Sequence, residues 1–208
     1  MTDAALALQA AGATVDFNAR LVDFKQAYEA YVQNLAIVES GTLRPSHEHY
    51  NAVQAERWAR KQEWIDFFED FDVLLCPIMP MAAFPHDHGG ERTLTINGEE
   101  PPYFPAVVQW AGLAIFSDLP STVVPVGSAG GLPWGVQIVA APGKVRICPR
   151  HTSATLCTLA LTRCANFSDL QTIEVGKMLE RMGFGCKPPP GYADPAGATA
   201  SLATSSKL

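Results

Sequence analysis

Two runs of β-branched and small apolar residues, 122–126 and 136–140, constrain the fold of this chain most. Both have the composition of β-strands, and the Ser128-Ala129-Gly130-Gly131 segment between them has the composition of a tight turn. A third apolar run, 73–76, stops at Pro77 and predicts a buried strand. The sequence therefore predicts a pair of adjacent strands and a third strand that precedes them.

Helical patterns surround these strands. Residues 2–11 are rich in alanine and leucine and stop at Gly12. A second helix, about 21–40, is predicted by apolar residues at alternating three- and four-residue steps, namely Leu21, Phe24, Tyr28, Tyr31, Leu35 and Val38. Further helices are expected at 47–70, 105–116 and 172–182, the last stopped by Gly183 and Gly185. Asn97-Gly98 predicts a tight turn between short strands.

The helix at 47–70 has an apolar and a charged set of residues. Its expected core side chains are Val53, Trp58, Ile65 and Phe68. Its charged side chains predict a solvated face made of Glu56, Arg57, Arg60, Lys61 and Glu63.

Composition excludes several classes of protein. With 48% hydrophobic and 17% charged residues the chain is too apolar for global disorder. The net charge of −6 leaves no basic footprint for nucleic acid or an anionic membrane, so neither partner is expected. The sequence contains no run of eighteen apolar residues, so no transmembrane helix is predicted. No basic segment precedes the first apolar stretch, so a secretory signal is not expected.

Several motifs occur in a specific order along the chain. They are the Ala-Ala-Gly-Ala-Thr-Val element at 10–15, residues 67–77 and 83–87, Asn97-Gly98 with Pro102-Tyr103, Trp110, and the segments 119–127 and 131–139. Together they resemble the closing part of an amidase-signature hydrolase. The resemblance implies the C-terminal part of an α/β/α sandwich with a mixed sheet, incomplete on its own.

The same resemblance implies a catalytic mechanism whose residues are absent. In this family a serine nucleophile is activated by a second serine in a cis peptide and by a lysine base. Neither Gly89-Gly90 nor the 127–131 segment matches the family's Gly-Gly-Ser-Ser-Gly-Gly-Ser loop, and Lys25, Lys61 and Lys144 lack the lysine context. No catalytic residue is therefore assigned. We expect a part of a C–N hydrolase that is inactive alone; the alternatives are a non-catalytic remnant that binds a partner, and an independent hydrolase with an unrecognised site.

Substrate contacts are expected only within a complete enzyme. The resemblance implies one wall of an acyl pocket for a small-molecule amide, with Ile78, Met79 and Trp110 as its candidates. The alternative is that these apolar residues are core packing. No cofactor is implied.

Cysteine and histidine patterns offer further candidates for chemical sites. Cys148, His151, Cys157 and Cys164 match no common zinc spacing, and the pairs His47/His49 and His86/His88 supply only two ligands each. No metal site is therefore predicted. Cys76 follows three apolar residues and is expected to be a buried, inert thiol.

The domain organisation is predicted to be a partial amidase domain, 1–192, and a disordered tail, 193–208. Residues 144–167 are an anomalous insert, which is either translated from an unspliced intron or a genuine loop or short helix. Transcript sequence that reads continuously through the segment would exclude the intron. The chain ends in Ser206-Lys207-Leu208, which matches a peroxisomal import signal, so a peroxisomal or cytoplasmic location with an import receptor as partner is expected. A chance tripeptide is the alternative.

Overall fold

The computed structural model describes residues 1–20, 22–39, 46–84, 86, 88–89, 93–142 and 169–185. In chain order its elements are α1 (Thr2–Ala10), α2 (Phe24–Glu39), α3 (His47–Phe67), β1 (Val73–Pro77), α4 (Tyr103–Phe116), β2 (Ser121–Ala129), β3 (Leu132–Ala140) and α5 (Asp169–Arg181). The insert 144–167 and the tail 193–208 with Ser206, Lys207 and Leu208 lie outside the described residues.

Three antiparallel strands form the described sheet, in the order β1-β3-β2. Leu75 and Thr122 both pair with Ile138, so β3 lies in the middle. The β2–β3 turn contains Gly130 and Gly131 at positive φ (60° and 79°), which glycine adopts without steric cost. The predicted strands are confirmed, but β2 and β3 both extend further toward the turn than expected, so that Ser128 and Ala129 belong to β2 and the turn is shorter than predicted.

Helices α1 and α5 cover one face of the sheet. Ala4 and Leu8 of α1 pack with Val136, Ile138 and Leu179 in one buried cluster. Within α5, a Cβ added at Gly176 would lie 3.1 Å from Val124 Cγ2, so the helix backbone approaches β2 closely.

A pair of threonines also joins α5 to the sheet. The hydroxyl of Thr172 donates to Asp169 O at 2.8 Å and lies 2.7 Å from the Thr122 hydroxyl. Because the Thr172 proton is engaged, Thr122 must be the donor between the two threonines. The fully buried Thr172 hydroxyl is therefore satisfied on both sides.

Helices α2, α3 and α4 cover the opposite face, which completes an α/β/α arrangement. Trp64 and Phe68 at the end of α3 pack with Cys76, Leu113 and Val139. Helix α2 packs outside α4 through a further cluster of Ala30, Tyr31 and Phe116. The predicted α/β/α class is confirmed, and the strands that the structure describes pair only in the antiparallel sense.

The expected core face of α3 needs one correction. Trp58, predicted to face the core, is 69% exposed, whereas Trp64 is almost completely buried. The buried positions Val53, Arg60 and Trp64 recur at intervals of seven and four residues, so they share one helix face from which Trp58 is excluded.

The expected solvated face of α3 is also wrong in part. Arg60 is buried between Glu56 and Glu63. Its Nη1 donates to Glu63 Oε2 at 2.7 Å, while its Nε lies 3.0 Å from Glu56 Oε1 outside hydrogen-bond geometry. The Glu56 contact is therefore ionic. Arg60 is thus a buried charge that is paired within its own helix, which the run of charges in the sequence did not reveal.

Helix α3 also binds the end of α4. Arg57 Nε donates to Phe116 O at 2.8 Å, and the Arg57 guanidinium pairs with Asp118. Lys61 Nζ lies 3.2 Å from the other Asp118 oxygen. A helix leaves its last carbonyls without partners, so Arg57 satisfies one of them and fixes the α4–β2 connection.

Two other predictions are confirmed with small differences. Asn97 and Gly98 lie at positive φ (53° and 86°), and Ile96 and Glu99 form an isolated bridge around them. Helix α4 begins at Tyr103, two residues before the expected start, because Pro105 is tolerated in the first turn of a helix. Among the described helices, none has the length and apolarity needed to cross a membrane.

Candidate functional site

Ile78 lies directly after β1, on the face of the sheet that α2, α3 and α4 cover. A Cβ added at Gly135 would lie 2.8 Å from Ile78 Cδ1 and 3.2 Å from Val123 Cγ1. The missing side chain at Gly135 therefore makes the space in which Ile78 rests, next to β2. Because Ile78 is half-buried, its side chain can serve in core packing or in ligand binding.

The other two predicted wall residues are placed differently. Met79 is half-buried and follows Ile78. Trp110, in the middle of α4, packs against the buried cluster that contains Trp64, and its ring centroid is 4.8 Å from that of Phe24. The described contacts place Ile78 against β3 and Trp110 against α2, so they do not bring the three residues into one cavity.

The sheet face beside Ile78 is only partly covered. Val123 of β2 is 50% exposed, although it pairs with Gln137 of β3, which is buried. Within the described part of the chain, the Gln137 carboxamide finds no hydrogen-bond partner at Nε2. Cys76, Gln137 and Val123 are cross-strand neighbours in one row, so the helical layer covers this row at β1 and leaves it open at β2.

Helix α4 has an uncovered apolar side. We name Phe104, Val107, Ala111 and Ile115 the α4 outer stripe, because they recur at intervals of three and four residues on one side of the helix. Phe104 is 45% exposed, Ile115 is 61% exposed, and the two residues between them are half-buried. The sequence reasoning missed this stripe, although the lack of any charged residue from Tyr103 to Phe116 was a signal for it.

The described residues offer little hydrolytic chemistry. Cys76 is buried as predicted, and burial raises the pKa of its thiol to about 12, which disfavours the nucleophilic thiolate. Ser128 is exposed on the β2–β3 hairpin, where it pairs with Pro133. Lys61 is engaged with Asp118, and Lys25 is an exposed residue at the start of α2. No lysine of the described part contacts a serine hydroxyl in any hydrogen bond that the structure records.

A groove of about 360 Å³ lies elsewhere, between α2 and α3. Its lining is polar above an apolar floor and consists of Gln26, Glu29, Ala30, Gln33, His49, Ala52, Val53 and Glu56. None of the three predicted wall residues contributes to it. The groove is also open to solvent, so it does not correspond to the expected acyl pocket.

The histidine pairs form no recognisable ligand set. The His86 and His88 rings stack with centroids 6.0 Å apart, and His47 Nδ1 lies 2.9 Å from Asn51 Nδ2. No group of three potential metal ligands is found within the described ranges. Cys148, His151, Cys157 and Cys164 lie outside those ranges.

Sequence comparison decides the family. The Amidase family profile matches residues 8–146, a range that contains β1, α4 and the β2–β3 hairpin. The chain belongs to the Amidase family. The match contains the whole motif series between residues 10 and 139, and the amidase family predicted from those motifs is confirmed.

Two curated relatives show how much of an amidase this chain represents. It is 30% identical over 113 residues to AtzE, which is part of the 1-carboxybiuret hydrolase of Pseudomonas sp. (strain ADP), covering 53% of this chain and 24% of AtzE. It is 32% identical over 91 residues to a component of the glutamyl-tRNA(Gln) amidotransferase of Listeria monocytogenes serovar 1/2a, covering 44% of this chain and 17% of that component. The matched part of this amidase chain therefore spans a quarter or less of the length of each relative.

Solved structures agree on the fold. A chain from a vestigial protein complex, described as revealing the origins of an s-triazine catabolic enzyme, superposes with a TM-score of 0.58 at 21% identity. A crystal structure of an amidase superposes with a TM-score of 0.56 at 19% identity. These superpositions cover 88% and 87% of this chain, and 40% of each neighbour. Most of this chain therefore adopts a part of the amidase fold.

Proposed function

We propose that this chain is the supporting part of an amidase that cleaves the C–N bond of carboxylic amides by a Ser–cis-Ser–Lys mechanism. We further propose that the 208 residues hydrolyse no amide by themselves. One observation carries this proposal: residues 8–146 match the Amidase family, yet the sequence contains no Gly-Gly-Ser-Ser-Gly-Gly-Ser pattern. The nucleophile and base would be supplied by polypeptide outside this sequence.

The chemistry of amide cleavage supports a separation between this supporting part and a second part that carries the nucleophile and the base. A serine hydroxyl is a poor nucleophile near neutral pH and needs a base within hydrogen-bond reach. A lysine can serve as that base when its surroundings lower its pKa, which requires burial away from carboxylates. Lys61 fails this requirement because it is paired with Asp118, and Lys25 fails it because it is exposed. The hairpin and helices contribute a rigid support for a site, not its reactive groups.

The proposed substrate contacts remain Ile78, Met79 and Trp110. Ile78 fits this role best because it rests beside the open sheet row at Val123. Trp110 packs on Phe24, which favours a core role for that residue. The proposed substrate is a small carboxylic amide bound only when the catalytic residues are also present, and no cofactor is proposed.

A serine-directed covalent probe tests the proposal without knowledge of the substrate. The purified chain is incubated with a fluorophosphonate, and its intact mass is recorded beside that of a complete amidase of the family. We expect the complete enzyme to gain one adduct and this chain to remain unmodified. A stoichiometric adduct on any serine of this chain would reveal an activated nucleophile and contradict the proposal.

A second candidate function is a non-catalytic interaction module. The outer edge of β1 carries the apolar sequence Val73–Cys76, and no backbone hydrogen bond to that edge occurs among the described residues. An unpaired apolar edge is a site for strand addition from another chain. By contrast, the β2 edge is partly covered, since Gly185 N donates to Pro125 O at 2.9 Å. If a partner pairs with β1 and the resulting complex hydrolyses no amide, this second candidate is favoured over the first.

We also propose that Ser206-Lys207-Leu208 binds a peroxisomal import receptor. A fluorescent protein fused in front of residues 193–208 is expected to collect in peroxisomes. The matched control lacks the last three residues and should stay in the cytosol. Equal distribution of the two fusions would show that the tripeptide is not read as a signal.

A further inference from the structure

The composition of α4 is unusual for a helix with an exposed side. From Tyr103 to Phe116 it contains no charged residue, and its buried side includes Leu113, Ala114 and Phe116. A surface helix normally carries polar residues on the side away from the core, whereas a helix that is apolar all round is normally buried all round. The α4 outer stripe (Phe104, Val107, Ala111, Ile115) therefore has the character of a covered surface, while its two ends are exposed in this structure.

The open part of the sheet follows this helix directly in the chain. Leu119 N donates to Ala114 O at 2.9 Å, which closes the short connection from α4 to β2. Val123, two residues into β2, is the half-exposed end of the row that contains buried Gln137 with its unpartnered Nε2. A buried amide donor without an acceptor among the described residues costs free energy. Helix α4 and strand β2, which follow each other in the chain, thus both expose apolar side chains.

The stripe alone is too small for a stable dimer of this chain. A helix of 14 residues is about 21 Å long at 1.5 Å per residue, and one side of it presents a few hundred Å² at most. Stable protein–protein interfaces bury about 1,200–2,000 Å² in total. A second copy docked through the stripe alone would therefore form a weak contact, and a stable partner has to cover further surface of this chain as well.

The comparisons favour a larger occupant. The chain aligns over 88% of its length with an amidase-fold neighbour of which it covers 40%, so the complete fold contains further polypeptide. That polypeptide must pack against the part represented here, and uncovered apolar surface is the favourable place for it. We propose that the catalytic part of an amidase docks on the α4 outer stripe together with the exposed sheet surface at Val123. This inference rests on the proposed function.

Co-expression tests the docking. The probe is a polypeptide comprising the part of the Pseudomonas AtzE protein that lies outside its match to this chain. We expect it to co-purify with the tagged wild-type chain, and we expect Ile115→Asp and Phe104→Asp to reduce the recovered complex at least tenfold. The matched control is Trp58→Asp, which also places a carboxylate at an exposed large apolar side chain, on α3. That variant should retain the complex.

The outcomes separate docking from function. A complex that forms with the wild type, is lost with Ile115→Asp and hydrolyses no amide supports the docking and contradicts the proposed hydrolase. An active complex that tolerates Ile115→Asp supports the hydrolase and overturns the docking. Absence of a wild-type complex, or equal loss with Trp58→Asp, also counts against the docking. Self-association of the chain in sedimentation that Ile115→Asp abolishes would assign the stripe to a second copy and overturn the proposal.

Discussion

Gly112→Ala is expected to lower the free energy of unfolding by about 1–3 kcal/mol, the usual cost of overpacking a tight contact. A Cβ at this position would overlap the ring of Tyr31, where α4 crosses α2. In an exposed helix the same substitution stabilises by about 1 kcal/mol, because glycine is a poor helix former. The sign of the change therefore reports whether the α2–α4 crossing is as close as described. Urea unfolding followed by tryptophan fluorescence measures it.

Two further variants make the Gly112 result interpretable. Gly127→Ala is the matched control, because nothing lies within 4 Å of a Cβ added there. Its effect should stay within about 0.5 kcal/mol. Adding Tyr31→Ala to Gly112→Ala should give a smaller loss than the sum of the single losses, since removal of the ring leaves room for the methyl group. A stabilising Gly112→Ala would contradict the close crossing.

Phe116→Ala is expected to lower the free energy of unfolding by about 3–5 kcal/mol, the range for a fully buried aromatic residue. Phe116 is 2% exposed and packs in the cluster between α2 and α4 with Ala30 and Tyr31. Its ring meets that of Tyr31 edge to face, with centroids 6.4 Å apart. The substitution removes both the apolar burial and this ring contact. The same denaturation experiment measures the loss.

Phe104→Ala provides the control for Phe116 on the same helix. Phe104 belongs to the α4 outer stripe and is 45% exposed, so its truncation should cost less than about 1 kcal/mol. The ratio of the two losses tests which side of α4 faces the core. Equal losses would mean that the stripe is already covered in the isolated chain, and the reason for proposing a docking surface would disappear.

The elements of this fold were largely accessible from the sequence because local patterns determine them. The β-branched runs, the glycine turn and the proline stop predict β1, β2 and β3 at nearly their observed positions. The orientation of α3 was less accessible. Trp58 and Trp64 are equally apolar, and only packing against β1, β3 and α4 decides that Trp64 is buried. The ion pairs of Arg57 and Lys61 with Asp118 join positions about sixty residues apart, so no local pattern predicts them.

The candidate site was accessible in part. Ordered motifs identify an amidase and show that its serine loop is missing, since both are properties of sequence. The contacts of the proposed pocket wall were not accessible, because apolar residues such as Trp110 can pack inward as well as line a pocket. The open row at Val123 and Gln137 depends on the absence of a covering layer, which no sequence pattern within β2 or β3 reveals.

Hydrolysis of amides by the purified chain tests the central claim most directly. The chain is incubated with a panel of simple aliphatic and aryl amides, and ammonia or amine release is compared with that of a complete family amidase. Since this chain lacks the serine loop and the described lysines are exposed or paired with a carboxylate, we predict release at the uncatalysed rate. Turnover of any amide that Ser128→Ala abolishes would contradict the claim that the chain supports an amidase site without containing it.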